Sequence, residues 1–114
     1  LRLWDAEGWR HIETGLAGFA RLAGDRPLLA VLFPVLDARA YAEDGVGDIH
    51  AGIAERARAA GVPLLDLYEP FVRGGELDPP PPLDIIHPGP SGHRIAAVEI
   101  ERALAPALER VRVE

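Results

Sequence analysis

Asp84 and His87 are the residues of this chain whose types and spacing most readily suggest chemistry. They lie in the segment LDIIHPGPSGHRIAA, near the end of the sequence. A histidine can act as a general base when its far ring nitrogen is fixed, and a carboxylate bonded to Nδ1–H selects the tautomer and stabilises the imidazolium. Because a separation of three residues on a turn lets the two side chains meet, the spacing predicts a hydrogen-bonded pair with His87 as the base.

A structural interpretation of the same segment stands beside the catalytic one. Asp84 would then cap a turn, while Pro88, Gly89 and Pro90 would begin a helix, since proline suits the first helical turn. Asp-x-x-His is a weak signal by itself, and taken alone it favours this structural interpretation.

The supply of possible nucleophiles is small. The chain contains no Lys, Asn, Gln or Cys, a single serine at Ser91 and a single threonine at Thr14. Ser91 lies four residues after His87 where a helix is expected to start, and a serine in that place usually caps the helix. We therefore expect Ser91 to be structural, and any serine that His87 activates to lie outside this chain.

The remaining polar candidates are weaker. His93 would be a second metal ligand only with an unusual spacing from His87, so packing at the helix start is the better interpretation and no metal site is predicted. His11 and His50 lie in helical stretches and are interpreted as surface residues. Asp66 ends an expected strand on the side where sites form, which makes it a possible site residue.

Composition limits the class of protein. The 114 residues are 48% apolar and 26% charged, without an apolar run long enough to cross a membrane, which is typical of a single globular domain. A net charge of −6, with 12 arginines scattered among 18 acids, argues against nucleic acid as a partner. The absence of cysteine excludes disulfides and thiolate chemistry but leaves the cellular location unknown.

Apolar periodicity predicts alternating helices and short strands. A helical stripe covers about 6 to 23 and stops at Gly24, another runs from Val46 to Gly61, and a third starts at Pro90 with a kink expected near Pro106. Two apolar runs, PLLAVLFP (strand at 28–33) and VPLLDLY (62–68), read as strands buried in a parallel sheet, and RGGELDPPPP reads as a loop.

The fold class is therefore α/β with a parallel sheet, in which ligands bind beyond the carboxyl ends of the strands. The loop that contains Asp84 and His87 would lie there. Two strands are few for a buried parallel sheet, and the chain begins at Leu1 rather than at a methionine. We therefore expect a piece of a longer domain.

The segment DIIHPGPSGHRIAA resembles the last sequence block of the SGNH hydrolases, also called GDSL esterases or lipases, whose pattern is Asp-x-x-His-Pro, a short turn, Gly-His and a final helix. Asp84, His87, Pro88, Gly92 and His93 match that pattern in register. The runs LLAVLFPV and GVPLLDLYEPF also resemble the two strand regions that precede this block in the family.

The resemblance implies a three-layer α/β/α, flavodoxin-like fold, of which residues 1–114 form the C-terminal part of a single domain. It also implies a serine esterase, acylhydrolase or acyltransferase in which Asp84 orients His87 and His87 activates a serine. No cofactor and no metal are implied. The partner would be an ester or acylated carbohydrate.

The chain lacks the Gly-Asp-Ser and Gly-x-Asn-Asp blocks that supply the family's nucleophile and oxyanion hole, and Gly89 stands where the family often has Asn or Ser. The fragment is thus expected to be inactive without the N-terminal half of the domain or a pairing chain. The alternative is a non-catalytic flavodoxin-like module that binds a partner at the carboxyl edge of its sheet, with Asp84 and His87 as loop structure.

Overall fold

The protein, represented by a computed structural model that describes residues 5–78 and 85–113, is a mixed α/β structure that is mostly helical. The described elements in chain order are α1 (Ala6–Ala23), β1 (Ala30–Leu32), α2 (Ala38–Glu43), α3 (Val46–Ala59), β2 (Leu64–Asp66), α4 (Tyr68–Arg73) and α5 (Pro90–Val113). The end of the predicted proline-rich loop, residues 79–82, and Asp84 lie outside the described residues.

The two strands form a parallel pair, which confirms the predicted α/β class. Ala30 pairs with Leu64, Val31 with Leu65 and Leu32 with Asp66. Each strand is three residues long, shorter than its apolar run, and all six strand residues are half-buried rather than buried. The sheet formed by the described residues therefore has two strands, and the three-layer arrangement stays a prediction.

The long helices begin and end where local chemistry directs them. The Asp5 side chain caps α1 by accepting a hydrogen bond from Gly8 N–H at 3.0 Å. After α1 and α3 the chain passes through Gly24 and Gly61, whose φ angles of 57° and 72° suit glycine. The predicted helices over 6–23 and from Val46 are confirmed, as is the start of α5 at Pro90.

Two short helices were not predicted from the sequence. The stretch after β1, expected to be a polar loop, contains α2, which begins after Asp37 because the Asp37 carboxylate accepts a hydrogen bond from Arg39 N–H at 3.0 Å. The last residue of the second apolar run, Tyr68, starts α4 instead of extending the strand.

The core lies between the sheet and the pair of helices α4 and α5. Its buried residues are Leu36, Leu67, Phe71, Leu77 and Ala96, and the strand neighbours Val31 and Leu65 pack against them. On α1 no residue is buried; the helix rests on α3, where Trp9 lies over Gly52 and the Arg56 guanidinium lies 3.9 Å from the centre of the Trp9 ring. A Cβ on Gly52 would come within 2.5 Å of the Trp9 ring, so this contact requires glycine.

Candidate functional site

The segment that leads to His87 lies beside the carboxyl end of β1. The N–H of Leu36, four residues beyond that strand and buried, donates a hydrogen bond of 2.7 Å to the Ile85 carbonyl. Residues 85–87 are therefore tied to the chain that leaves the sheet, on the edge where ligands of parallel α/β sheets bind.

The start of α5 fixes the other end of this segment. Pro90 is the first helical residue, and the Gly89 carbonyl accepts a hydrogen bond from His93 N–H at 3.0 Å. Gly92 is buried against α4, and a Cβ there would lie 3.3 Å from the Phe71 ring and 2.8 Å from Pro88 Cβ. The Pro88–Gly92 turn thus holds α5 close to the core.

The predicted site residues have different outcomes. His87 is exposed at this edge, and Asp84 lies outside the described residues, so the expected hydrogen bond between them stays a prediction. Ser91 is exposed as the second residue of α5 rather than its cap. The His93 side chain is also exposed, so the prediction that it packs at the helix start is wrong.

A second acid and histidine pair lies at the carboxyl end of β2, and it involves His50. The prediction that His50 is a surface residue is wrong, because it is only 8% exposed. Its Nδ1 lies 2.8 Å from Asp66 Oδ2 and 3.0 Å from Asp66 Oδ1, and its Nε2 lies 3.0 Å from the Tyr41 hydroxyl. Asp66, predicted as a possible site residue, therefore pairs with a histidine from α3.

Backbone groups complete this cluster of Tyr41, His50 and Asp66. The N–H of Val35 donates to the Tyr41 hydroxyl at 2.8 Å, and the N–H of Tyr68 donates to Asp66 Oδ1 at 2.9 Å. Every group is satisfied when the Tyr41 O–H donates to His50 Nε2 and the Nδ1–H donates to Asp66. These hydrogen bonds join five parts of the chain: the segment after β1, α2, α3, β2 and α4.

Burial raises the pKa of the phenol in this cluster. The pKa of Tyr41 rises to about 12, the Val35 N–H opposes the rise, and the negative charge of Asp66 adds to it. Tyr41 consequently keeps its proton at pH values above about 10, where an exposed phenol would begin to ionise.

A cavity of about 450 Å³ opens beside this cluster, lined by residues of α2, α3, β2 and α4. The signal in the sequence that would have found it is the position of His50. It falls four residues after Val46 and seven before Ala57, on the apolar stripe of the helix. A polar residue on that stripe must find partners inside the protein.

Across residues 5–78 and 85–113, no three His, Asp or Glu side chains group in a way that would hold a metal ion, and no helix there has the length and apolarity needed to cross a membrane. Comparison of the chain with protein-family models, with curated proteins and with solved structures finds no match in any of the three.

Proposed function

We propose that the chain contributes the acid and histidine of a serine esterase, acylhydrolase or acyltransferase of SGNH type, with His87 as general base and Asp84 as its orienting carboxylate. In this proposal the nucleophilic serine and the oxyanion-hole asparagine come from residues outside this chain of 114. The substrate is a carboxylic ester, either of a small alcohol or of a carbohydrate.

One observation carries the proposal: the hydrogen bond from Leu36 N–H to the Ile85 carbonyl, 2.7 Å long. It joins the His87 segment to the chain that has just left β1, so an exposed histidine stands at the carboxyl edge of a parallel pair of strands. Catalytic residues of α/β folds belong at that edge because the loops that follow the strands converge there.

The supporting chemistry is that of the serine, histidine and acid triad. An ionised Asp84 accepts a hydrogen bond from His87 Nδ1–H, which leaves Nε2 free of its proton and able to take one from the attacking serine. The serine oxygen then adds to the ester carbonyl, and His87 returns the proton to the leaving alcohol. Water repeats the sequence in hydrolysis, and an acceptor alcohol replaces it in acyl transfer.

The flavodoxin-like, three-layer fold is part of the same proposal. Successive residues of a strand point to opposite faces. Leu65 packs against the core cluster that includes α4 and α5 residues, while Asp66 bonds to His50 of α3. These two contacts support the proposed arrangement, in which helices cover both faces of the sheet.

The test uses the full-length protein and a short-chain chromogenic ester. His87→Ala is expected to lower kcat/KM by about 10⁴-fold, because the serine loses its base, while the thermal unfolding curve is unchanged. Asp84→Asn is expected to lower the rate less, since the amide keeps the geometry but can favour the wrong imidazole tautomer.

His93→Ala is the matched control, because His93 is an exposed histidine six positions further along the same segment. Equal losses for His87→Ala and His93→Ala would contradict the assignment of the base. The alternative, a non-catalytic module that binds a partner at the sheet edge, would be favoured if the residues upstream of Leu1 in the full-length protein contained no strand followed by Gly-Asp-Ser.

A further inference from the structure

The cavity beside the cluster of Tyr41, His50 and Asp66 has the dimensions of a small-molecule site. Its volume is about 450 Å³, and ligand pockets in proteins measure roughly 300–1,000 Å³. Two aromatic rings, those of Tyr41 and Tyr68, stand 4.5 Å apart between centroids at one side. Ala51 and Ala54 of α3 line it as well and leave space because their side chains are short.

Two carboxylates line this cavity, those of Asp66 and the exposed Glu69. The other titratable side chains of the lining are His50 and the two tyrosines, and none of the lining residues is an arginine. Two tyrosine rings close to two carboxylates combine the two features that attract an organic cation, the negative ring face and the negative charge.

The Asp66 carboxylate is held in place by its histidine neighbour. His50 Nδ1 lies 2.8 Å from Asp66 Oδ2, and His50 Nε2 lies 3.0 Å from the Tyr41 hydroxyl. The histidine therefore fixes the carboxylate close to the Tyr41 ring.

Asp66 also has hydrogen-bonding capacity left. Its side chain is 33% exposed, and its two oxygens receive the His50 Nδ1–H and the Tyr68 N–H. Since an ionised carboxylate accepts about four hydrogen bonds, two acceptor positions remain for a donor that enters the cavity.

We propose that this cavity binds an organic cation, namely a primary amine with a small apolar body. The ammonium group would lie at Asp66 and Glu69. The apolar body would have the tyrosine rings on one side and the short side chains of α3 on the other. The site stands independently of the esterase proposal, because it uses neither His87 nor Asp84. The proposed amine site is compatible with either a catalytic or a non-catalytic role of the whole protein.

The probe is benzylamine, titrated into the ¹⁵N-labelled full-length protein while amide shifts of residues 47–54 and 66–69 are followed by NMR. We expect saturable shifts with a Kd on the order of 1 mM, as suits a fragment-sized ligand. Benzyl alcohol and benzoate, which have the same ring but no positive charge, are expected to bind at least about tenfold more weakly, since each 1.4 kcal/mol of lost charge attraction is tenfold.

Two pairs of variants locate the site. Ala54→Leu fills the cavity and is expected to weaken benzylamine binding by at least about tenfold, whereas Ala59→Leu, on the same helix but away from the cavity, is expected to leave it unchanged. Glu69→Gln should weaken binding about threefold, as an exposed carboxylate does, and Glu55→Gln should not.

Circular dichroism checks that each variant is folded, and Ala51→Leu replaces Ala54→Leu if the latter is not. Benzyl alcohol binding as tightly as benzylamine, benzylamine binding unchanged in the leucine variant, or no saturable shift up to tens of millimolar would each overturn the proposal.

Discussion

The chain has two combinations of an aspartate and a histidine, and they differ in how far apart the two residues lie along the sequence. Asp84 and His87 are three residues apart, so a single turn is expected to bring them together. Asp66 and His50 are 16 residues apart and meet only because α3 packs against β2. A short separation can be recognised in a sequence, whereas a long one becomes visible only with the fold.

The two histidines also differ in their surroundings. His50 is buried, and both of its ring nitrogens have protein partners at 2.8–3.0 Å. His87 is exposed in a segment that a backbone hydrogen bond ties to Leu36, four residues beyond β1. A buried, fully bonded histidine contributes to stability, while an exposed one at a sheet edge is accessible to a ligand. Burial therefore separates the two roles better than residue type does.

His50→Ala is the substitution expected to have the largest effect on stability. It leaves the Asp66 carboxylate without its histidine donor and the Tyr41 hydroxyl without its acceptor, and it opens a cavity between α3 and β2. The free energy of unfolding should fall by about 3 kcal/mol. Urea denaturation of the full-length protein measures it.

Under the same conditions His87→Ala should change the free energy of unfolding by less than about 0.5 kcal/mol, as an exposed substitution does. His11→Ala is the control on an exposed helical histidine. A loss below about 1 kcal/mol for His50→Ala, or equal losses for His50→Ala and His87→Ala, would remove the distinction between a structural and an accessible histidine.

The long elements were predictable because their signals are repeated. Several apolar residues recur at helical spacing along α1, and two glycines with positive φ follow α1 and α3. The two six-residue helices α2 and α4 are too short for a stripe to stand out. The position of α4 depends on Phe71 entering the core, a contact that exists only after folding, whereas α2 has a single local signal, the Asp37 cap.

The candidate sites were also hard to predict where they depend on contacts between residues far apart in the sequence. The chain order places His87 after β2, but the hydrogen bond from Leu36 to Ile85 that fixes its segment crosses 49 positions and leaves no local pattern. The prediction that His50 is a surface residue is wrong because it is based on residue type. The position of His50 on the apolar stripe of α3 is the stronger signal, and it indicates burial. The cavity beside it needed Tyr41, Asp66 and Tyr68 from three separate segments.

Tyr41→Phe tests the hydrogen bonds that the Tyr41 hydroxyl shares with His50 and Val35, and it is expected to have a smaller effect than His50→Ala. It removes the partner of both His50 Nε2 and Val35 N–H, so the free energy of unfolding near pH 8 should fall by about 1 kcal/mol. The difference between wild type and variant should also depend on pH.

The sign of this pH dependence follows from the pKa of Tyr41, which burial raises to about 12 in the folded protein, against about 10 in an unfolded chain. Unfolding therefore releases a proton between these values, and the stabilisation from the neutral hydroxyl is complete below about pH 10 and declines as the pH rises toward 12. Urea midpoints at pH 9, 10 and 11 should converge for the wild type and Tyr41→Phe. A constant gap between them would contradict the buried, protonated phenol.

Ser91→Ala should have the smallest effect, and it decides whether His87 works with a serine of its own segment. Ser91 is exposed in the first turn of α5, so its loss should change the free energy of unfolding by no more than about 0.5 kcal/mol. With the nucleophile outside this chain, the variant should hydrolyse the chromogenic ester at the wild-type rate. A fluorophosphonate should still label it, because the reagent attaches to an activated serine. Loss of both labelling and hydrolysis with a normal unfolding curve would instead make Ser91 the partner of His87, and the first turn of α5 would then belong to the reacting site.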